Sequence, residues 1–76
     1  MKEFEFCILA SGLDPESENF EQRFYDAGCN DATISFQKGC IIVDFTREAN
    51  SIEEAIVSAT KAVAAAGGRV DRIAFA

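Results

Sequence analysis

Residues 32–45 constrain the fold more than any other segment, because they have the pattern of a β-hairpin. Two strand-like runs flank Lys38-Gly39, and a two-residue loop that contains glycine favours a primed hairpin turn with positive φ. Gly39 adopts that conformation without steric strain. A turn at these two residues predicts that Gln37 pairs with Cys40, which sets the pairing of the rest of both strands.

Side chains alternate between the two faces of a strand, so this pairing separates an apolar face from a polar one. The polar face carries two apolar exceptions, Cys40 and Ile42. A shift of one residue would expose the apolar set to water, so the pattern specifies the register. The predicted core face consists of Ala32, Ile34, Phe36, Ile41, Val43 and Phe45.

A helix is predicted between a first strand at residues 4–10 (FEFCILA) and the hairpin. Asp14 is the expected N-cap with Pro15 at the first helical position, and Ser17 is a rival cap. The helix is expected to run to about residue 27, with an apolar stripe of Phe20, Phe24 and Ala27. Gly28 is its expected C-terminal stop.

A second helix follows the hairpin after the polar residues 46–50 (TREAN), which we interpret as a connector. Ser51 and Glu54 fit a capping box at its start. It is expected to continue to Ala66 and to stop at Gly67-Gly68, before a last strand at residues 69–75 (RVDRIAF). Its predicted buried stripe contains Ile52, Ala55, Ile56, Ala59, Val63 and Ala66.

The predicted order is strand, helix, strand, strand, helix, strand, in a single domain of residues 1–76. Two strand-helix-strand units with right-handed crossovers give the split βαβ, or ferredoxin-like, plait. The predicted fold class is therefore α+β, with an antiparallel sheet ordered 4-1-3-2. Both helices are expected on one face of the sheet, which leaves the other face open.

The charge excludes several partners. The chain has 13 acidic and 7 basic residues and a net charge of −6, which works against binding nucleic acid or anionic lipid. The acids concentrate at residues 14–21 and 48–54, both predicted helix starts, where negative side chains are favourable.

The three cysteines predict a reducing compartment. Cys7, Cys29 and Cys40 are odd in number and none has CxxC spacing. The apolar run at residues 4–10 is too short for a secretory signal, and no stretch approaches the ~20 apolar residues of a membrane span. We therefore expect a cytoplasmic protein without a membrane partner, and we interpret Cys29 as a buried small hydrophobe.

No catalytic, cofactor or metal site is predicted. The chain has no histidine, which removes the usual general acid and base near neutral pH. Its glycines sit singly at the ends of predicted elements, or as Gly67-Gly68 after a helix rather than before one, so no phosphate-binding loop is predicted. Asp31 and Asp44 are only diagonal neighbours, because Thr33 is the expected partner of Asp44. The simplest interpretation of Asp44 and Arg47 is a surface ion pair.

RNA binding is the sharpest alternative that the residues suggest. The run KGCIIVDF at residues 38–45 resembles the central motif of the RNA-recognition module, and matches it at four positions. That module stacks bases on aromatic side chains of its open sheet face. The corresponding positions here are Cys40, Ile42 and, on the first strand, Cys7. Base stacking is worth ~1–3 kcal/mol per base, which these side chains cannot supply.

The same positions predict an apolar patch on the open face, and contiguous exposed apolar patches usually mark interaction sites. A sheet-to-sheet contact with a second copy or with another protein is one interpretation, and a tolerated half-exposed surface is the other. The candidate interaction surface consists of Cys7, Leu9, Cys40, Ile42, Arg72 and Ala74.

Three segments resemble a family of small uncharacterised bacterial proteins: GCNDA at residues 28–32, VDFTREA at 43–49 and SIEEAI at 51–56. That family has GCDDA and DFxREA motifs, and its opening strand resembles FEFCILASGLD. Longer members carry a C-terminal helix-turn-helix, which implies a regulatory or antitoxin-like role. The sequence ends at Ala76, before any such segment, so we do not expect DNA binding to carry over to this chain.

The predicted function is a non-enzymatic interaction or regulatory domain, such as the interaction half of a bacterial regulator. It would form a homodimer or bind another protein through the open sheet face. The alternative is a regulatory domain of the amino-acid-sensing type that binds a small ligand in a pocket at a dimer interface. A hydrolase acting through Cys29 or Asp31 is a third class, and the sequence offers it no base.

Overall fold

The computed structural model describes residues 1–14, 16 and 19–75, and its elements follow the predicted order. The strands form one antiparallel sheet ordered β2-β3-β1-β4. This order confirms the ferredoxin-like α+β plait. The bounds are β1 (Lys2–Ser11), α1 (Phe20–Asp26), β2 (Ala32–Gln37), β3 (Cys40–Ala49), α2 (Ile52–Ala65) and β4 (Arg69–Phe75).

The hydrophobic core lies between one face of the sheet and the two helices. Both helices and the central strands β1 and β3 contribute to a single cluster of buried side chains. Ala32 and Ile34 of β2 pack against this cluster from its margin. The cluster consists of Phe6, Ile8, Ala10, Phe20, Phe24, Cys29, Ile41, Val43, Phe45, Ala55, Ala59, Ala62, Val63 and Ala66.

Phe36 is the one predicted core residue of the hairpin that the structure leaves exposed. It is 49% exposed, whereas its cross-strand neighbour Ile41 is 1% exposed. Phe36 lies on the outermost strand beside the turn, and α1 has only seven residues. The short helix leaves this corner of the sheet uncovered, so alternation along the strand predicted the face correctly but not the burial.

The hairpin register is the predicted one throughout. Gln37 pairs with Cys40, and the pairing continues along both strands. Lys38 and Gly39 have φ angles of 52° and 79°, the positive values of a type I′ turn. The turn therefore holds a lysine in a conformation that asparagine adopts more readily.

Replacing Lys38 with asparagine is expected to stabilise the protein by about 0.5 kcal/mol, because asparagine tolerates positive φ. Thermal unfolding followed by circular dichroism should show a melting temperature higher by about 2–4 °C. Gly39→Ala is the matched control. Nothing lies within 4 Å of the added Cβ, so its expected cost of about 1 kcal/mol is a backbone effect alone. A lower melting temperature for Lys38→Asn would contradict this account of the turn.

Both helices end in the same way, as the glycines predicted. After α1, the Gly28 amide donates to the Tyr25 carbonyl and the Cys29 amide to the Phe24 carbonyl. After α2, the amides of residues 67 and 68 make the same pair of bonds. These are Schellman caps, with Gly28 and Gly67 at φ 107° and 99°. At the start of α2, the Ser51 hydroxyl accepts from the Glu54 amide, which is one of the two bonds of the predicted capping box.

The start of α1 differs from the prediction. The helix begins at Phe20, and its N-cap is Asn19 in a left-handed conformation. Asp14 instead accepts a hydrogen bond from the Glu16 amide, an Asx-type turn that competes with helix initiation. The other two predicted cap positions, Pro15 and Ser17, lie outside the described residues.

The prediction that residues 46–50 form a connector was wrong for all of them except Asn50. β3 continues to Ala49, because β1 starts at Lys2 and the two chain segments pair, with Glu5 opposite Thr46 and Lys2 opposite Ala49. β1 and β3 are each 10 residues long, whereas β2 has 6 and β4 has 7. The two central strands therefore extend beyond both neighbours at one end of the sheet.

Candidate interaction surface

The sheet face opposite the helices brings together the residues that the sequence singled out. Leu9 of β1 lies between Ile42 of β3 and Arg72 of β4. Two residues earlier on β1, Cys7 lies beside Ala74 of β4. All five side chains share one face because they occupy alternating positions on adjacent strands. Whether this face binds anything stays a prediction.

A register shift in β4 places Arg72 on this face. Arg72 pairs with Leu9, but the next residue of β1, Ala10, pairs with Val70. Asp71 is therefore the extra residue of a β-bulge. The bulge lets Val70 pack against the core while Arg72 stays on the open face.

The centre of the open face is apolar and partly accessible. Four half-buried side chains form what we call the open-face patch: Cys7, Leu9, Ile42 and Ala74. Cys40 and Arg72, the other two predicted residues, are exposed. Cys40 borders the patch on β3, where it pairs with Gln37 beside the turn. Arg72 borders it on β4, where it pairs with Leu9.

One half of the open face is acidic, which the sequence prediction missed. Glu3 lies directly opposite Glu48, and Asp44 lies opposite Cys7. With Glu5 they form a set of four exposed carboxylates, which we call the acidic half. Like charges in direct register destabilise a strand pair, so this arrangement lowers the stability of the sheet. The sequence signal for this acidic half is the alternation of Glu3 and Glu5, which puts both side chains on the open face of β1.

A shallow depression of about 360 Å³ lies where the open-face patch meets the acidic half. Its polar lining comes from Glu5, Asp44 and Thr46, and its apolar lining includes Cys7 and Ala74. Among the described residues, no group of three or more cysteine or carboxylate side chains is arranged to hold a metal ion.

The predicted surface ion pair between Asp44 and Arg47 was wrong. Arg47 lies on the helix side of the sheet, and its side chain is only 12% exposed. Its Nε donates to Asp31 Oδ2 at 2.7 Å and its Nη2 to Asp31 Oδ1 at 2.8 Å, a bidentate pair. Asp44 points to the other face, because residues three apart on a strand face opposite sides.

The Arg47 guanidinium joins three segments that are distant in the sequence. Besides Asp31, Nη2 donates to the Gly28 carbonyl at 2.6 Å and Nη1 to the Ser58 hydroxyl of α2 at 3.1 Å. The guanidinium carbon Cζ of Arg47 lies 4.7 Å from the centre of the Phe45 ring, a cation–π contact. Because its donors are already used within the chain, we assign Arg47 a structural role.

The three thiols are free and differ in exposure: Cys29 is buried, Cys7 is half-buried and Cys40 is exposed. Burial raises the pKa of the Cys29 thiol, and the nearby Asp31 carboxylate adds to this effect, whereas Arg47 opposes it. A buried protonated thiol is a poor nucleophile, which agrees with the predicted packing role of Cys29.

We expect a thiol reagent to modify Cys40 fastest, Cys7 more slowly and Cys29 only on unfolding, as mass spectrometry of labelled peptides can measure.

The raised pKa of Cys29 also has a consequence for stability. Above the ordinary thiol value of 9.0, the thiol ionises in the unfolded chain before it does so in the folded one. The free energy of unfolding should therefore fall as the pH rises toward the folded pKa. In Cys29→Ala, the free energy of unfolding should fall less steeply as the pH rises. Rapid labelling of Cys29 in the folded protein would contradict both the predicted labelling order and this pH dependence.

Neither the helices nor comparison with known proteins assigns this chain to a family. None of the helices in the described part of the chain is long and apolar enough to cross a bilayer. Comparison of the chain with protein families, with curated proteins and with solved structures found no match. The resemblance to regulator-like bacterial proteins therefore stays a prediction.

Proposed function

We propose that this chain is a cytoplasmic, non-enzymatic interaction domain that binds protein, either a second copy or another chain, through its open sheet face. The observation that carries the proposal is the open-face patch. Leu9 and Ile42 are direct neighbours on the two central strands, and both remain partly accessible to water. The helices cover only the opposite face of these strands.

Burial of these side chains would favour association. Fully burying a leucine or isoleucine side chain contributes about 1.5–3 kcal/mol, and a patch at the centre of an interface contributes most when its surroundings exclude water. The exposed polar residues Arg72, Glu5 and Asp44 surround the patch and match the polar rim that interfaces usually have.

Ile42→Asp tests this proposal. A carboxylate at the centre of the patch should weaken binding at least about tenfold, because it would have to be desolvated on association. Binding can be measured as self-association by sedimentation at high micromolar concentration, and as co-purification of proteins from a bacterial lysate. The folded domain should persist, because Ile42 is only half-buried.

Val57→Asp is the matched control, since Val57 is an exposed β-branched residue (52% exposed) on α2, away from the open face. The proposal predicts that binding survives in Val57→Asp and is lost in Ile42→Asp. The proposal would be contradicted if the protein were a strict monomer and if the unmodified protein, Ile42→Asp and Val57→Asp all captured the same proteins.

The depression beside the acidic half favours one second candidate, a regulatory domain that binds a small ligand. Ligand pockets usually measure about 300–1,000 Å³ and bury most of the ligand, so an open depression of about 360 Å³ needs a covering surface. Two stacked copies would enclose it. Glu5 and Asp44 would favour a ligand with a cationic group. A thermal-shift screen of metabolites separates the candidates, because a ligand of the folded state raises the melting temperature.

A further inference from the structure

We infer that the open face is covered by a second copy of this chain, stacked so that the strands of the two copies run in opposite directions. This inference rests on the proposed function and names the partner. It follows from the size of the face and from the separation of charge along it.

The size of the face requires a partner that covers nearly all of it. The two longer axes of the molecule measure 35 and 23 Å, and the sheet can be no larger than these dimensions. A specific interface of standard size takes about 800 Å² from each partner. The four side chains of the open-face patch supply only part of that area. The partner must therefore also cover the acidic half, and it needs positive charge there.

The chain carries such charge toward the opposite end of the sheet. Arg72 is exposed beside Leu9, and Lys38 lies in the turn beyond Cys40, at the end away from the acidic half. Neither cation is in an ion pair with a described residue, because the pairs in that part of the chain are Arg47–Asp31 and Arg69–Asp71. The face is thus acidic at one end and apolar in the middle, and Arg72 on the face and Lys38 in the turn supply positive charge on the side away from the acidic half.

Two copies related by a two-fold axis can stack in two simple ways. With the axis along the strands, the acidic half of each copy would lie over the acidic half of the other. With the axis across the strands and through the open-face patch, each acidic half would lie over the end that carries Arg72 and Lys38. A two-fold interface must be self-complementary, and only the second arrangement makes it so.

Cys7 and Cys40 can report the arrangement, since they lie on the open face on either side of the Leu9 and Ile42 pair. Stacked sheets are about 10 Å apart and strands about 4.8 Å. With antiparallel strands, the Cα of Cys40 lies about 13 Å from that of Cys7 in the second copy and more than about 20 Å from that of Cys40. With parallel strands, Cys40 lies about 11 Å from Cys40 of the second copy.

A short bis-maleimide added to the native protein, followed by mass spectrometry of the linked peptides from the covalent dimer after its separation from monomer on a denaturing gel, is the first experiment. We expect a Cys7–Cys40 link between copies, abolished by Ile42→Asp. A dominant Cys40–Cys40 link would overturn the antiparallel arrangement and leave the proposed function standing. A monomer at every concentration would overturn the inference. The lysate comparison of Ile42→Asp with Val57→Asp would then decide the proposed function separately, with capture of a basic protein as the competing result.

Charge reversal is the second experiment, read out as the dimer dissociation constant in sedimentation. Arg72→Glu and Glu5→Arg should each weaken the dimer by about tenfold, since the two-fold axis repeats each contact. The variant with both changes should regain most of the affinity, because the charges are exchanged rather than lost. Arg23→Glu, the same charge change on the exposed surface of α1, should have little effect. Failure of the double variant to regain affinity would count against the antiparallel stack.

Discussion

Replacing Phe45 with alanine should lower the free energy of unfolding by about 3–5 kcal/mol and leave much of the protein unfolded at 37 °C. Phe45 is 2% exposed and stacks on Phe6 with ring centres 5.4 Å apart. Its ring also supports the Arg47 guanidinium on the helix side of the sheet. A domain of this size has a total stability of about 4–11 kcal/mol, so the loss would consume a large part of it. Urea denaturation followed by circular dichroism measures it directly.

Phe36→Ala provides the comparison within the same hairpin. Phe36 lies on the same face as Phe45 but is 49% exposed, so its removal should reduce stability by less than about 1 kcal/mol. Equal losses for the two variants would show that the corner of the sheet beside the turn is covered in solution.

Arg47→Met should lower the free energy of unfolding by about 3 kcal/mol, at the lower end of the range for breaking a buried ion pair. The methionine keeps most of the aliphatic packing, but it leaves Asp31 and the Gly28 carbonyl without their donor. The Asp31 side chain is 30% exposed, so water compensates part of the loss. The shift in the urea midpoint, at unchanged slope, is the measurement.

Arg69→Met is the matched control, because it breaks an arginine–aspartate ion pair on the surface, which among the described residues has one hydrogen bond where Arg47–Asp31 has two. Arg69 Nε lies 3.0 Å from Asp71 Oδ1, but the two side chains are 78% and 38% exposed, so the expected loss is small. Arg47→Lys should fall between the two, since it keeps the charge without the two-pronged geometry. A loss no larger for Arg47→Met than for Arg69→Met would refute the structural role of Arg47.

Local patterns predicted the parts of the fold that local forces decide. The hairpin register follows from a two-residue turn and from alternation along the strands, and both act over a few neighbouring residues. The Schellman caps at Gly28 and Gly67 follow from the ease with which glycine adopts positive φ. The strand order then follows from connection rules, so it too was predictable.

The main errors share one cause, the end of β3. With the strand taken to end at Phe45, residue 47 had no assigned face, and Asp44, three residues earlier in the sequence, was taken as the partner of Arg47. Once β3 continues to Ala49, alternation separates Asp44 from Arg47 and brings Glu48 opposite Glu3. Asp31, 16 residues from Arg47 in sequence, becomes its neighbour only through tertiary packing. The burial of Phe36 is a separate error, because it depended on the length of α1, which a hairpin pattern does not contain.

The unequal strand lengths have a consequence for solubility. Where β1 and β3 extend beyond the described residues of β2 and β4, they form a two-stranded ribbon that neither neighbour flanks, although the Thr46 amide at its base donates to the Asp31 carbonyl. The unpaired part of such an edge is a template for pairing with other chains. Glu3, Glu5 and Glu48 are all in this ribbon. Repulsion between Glu3 and Glu48 weakens the ribbon, and the same charges discourage another strand from adding to either edge. The molecule thus gives up some sheet stability at this end and gains protection against aggregation.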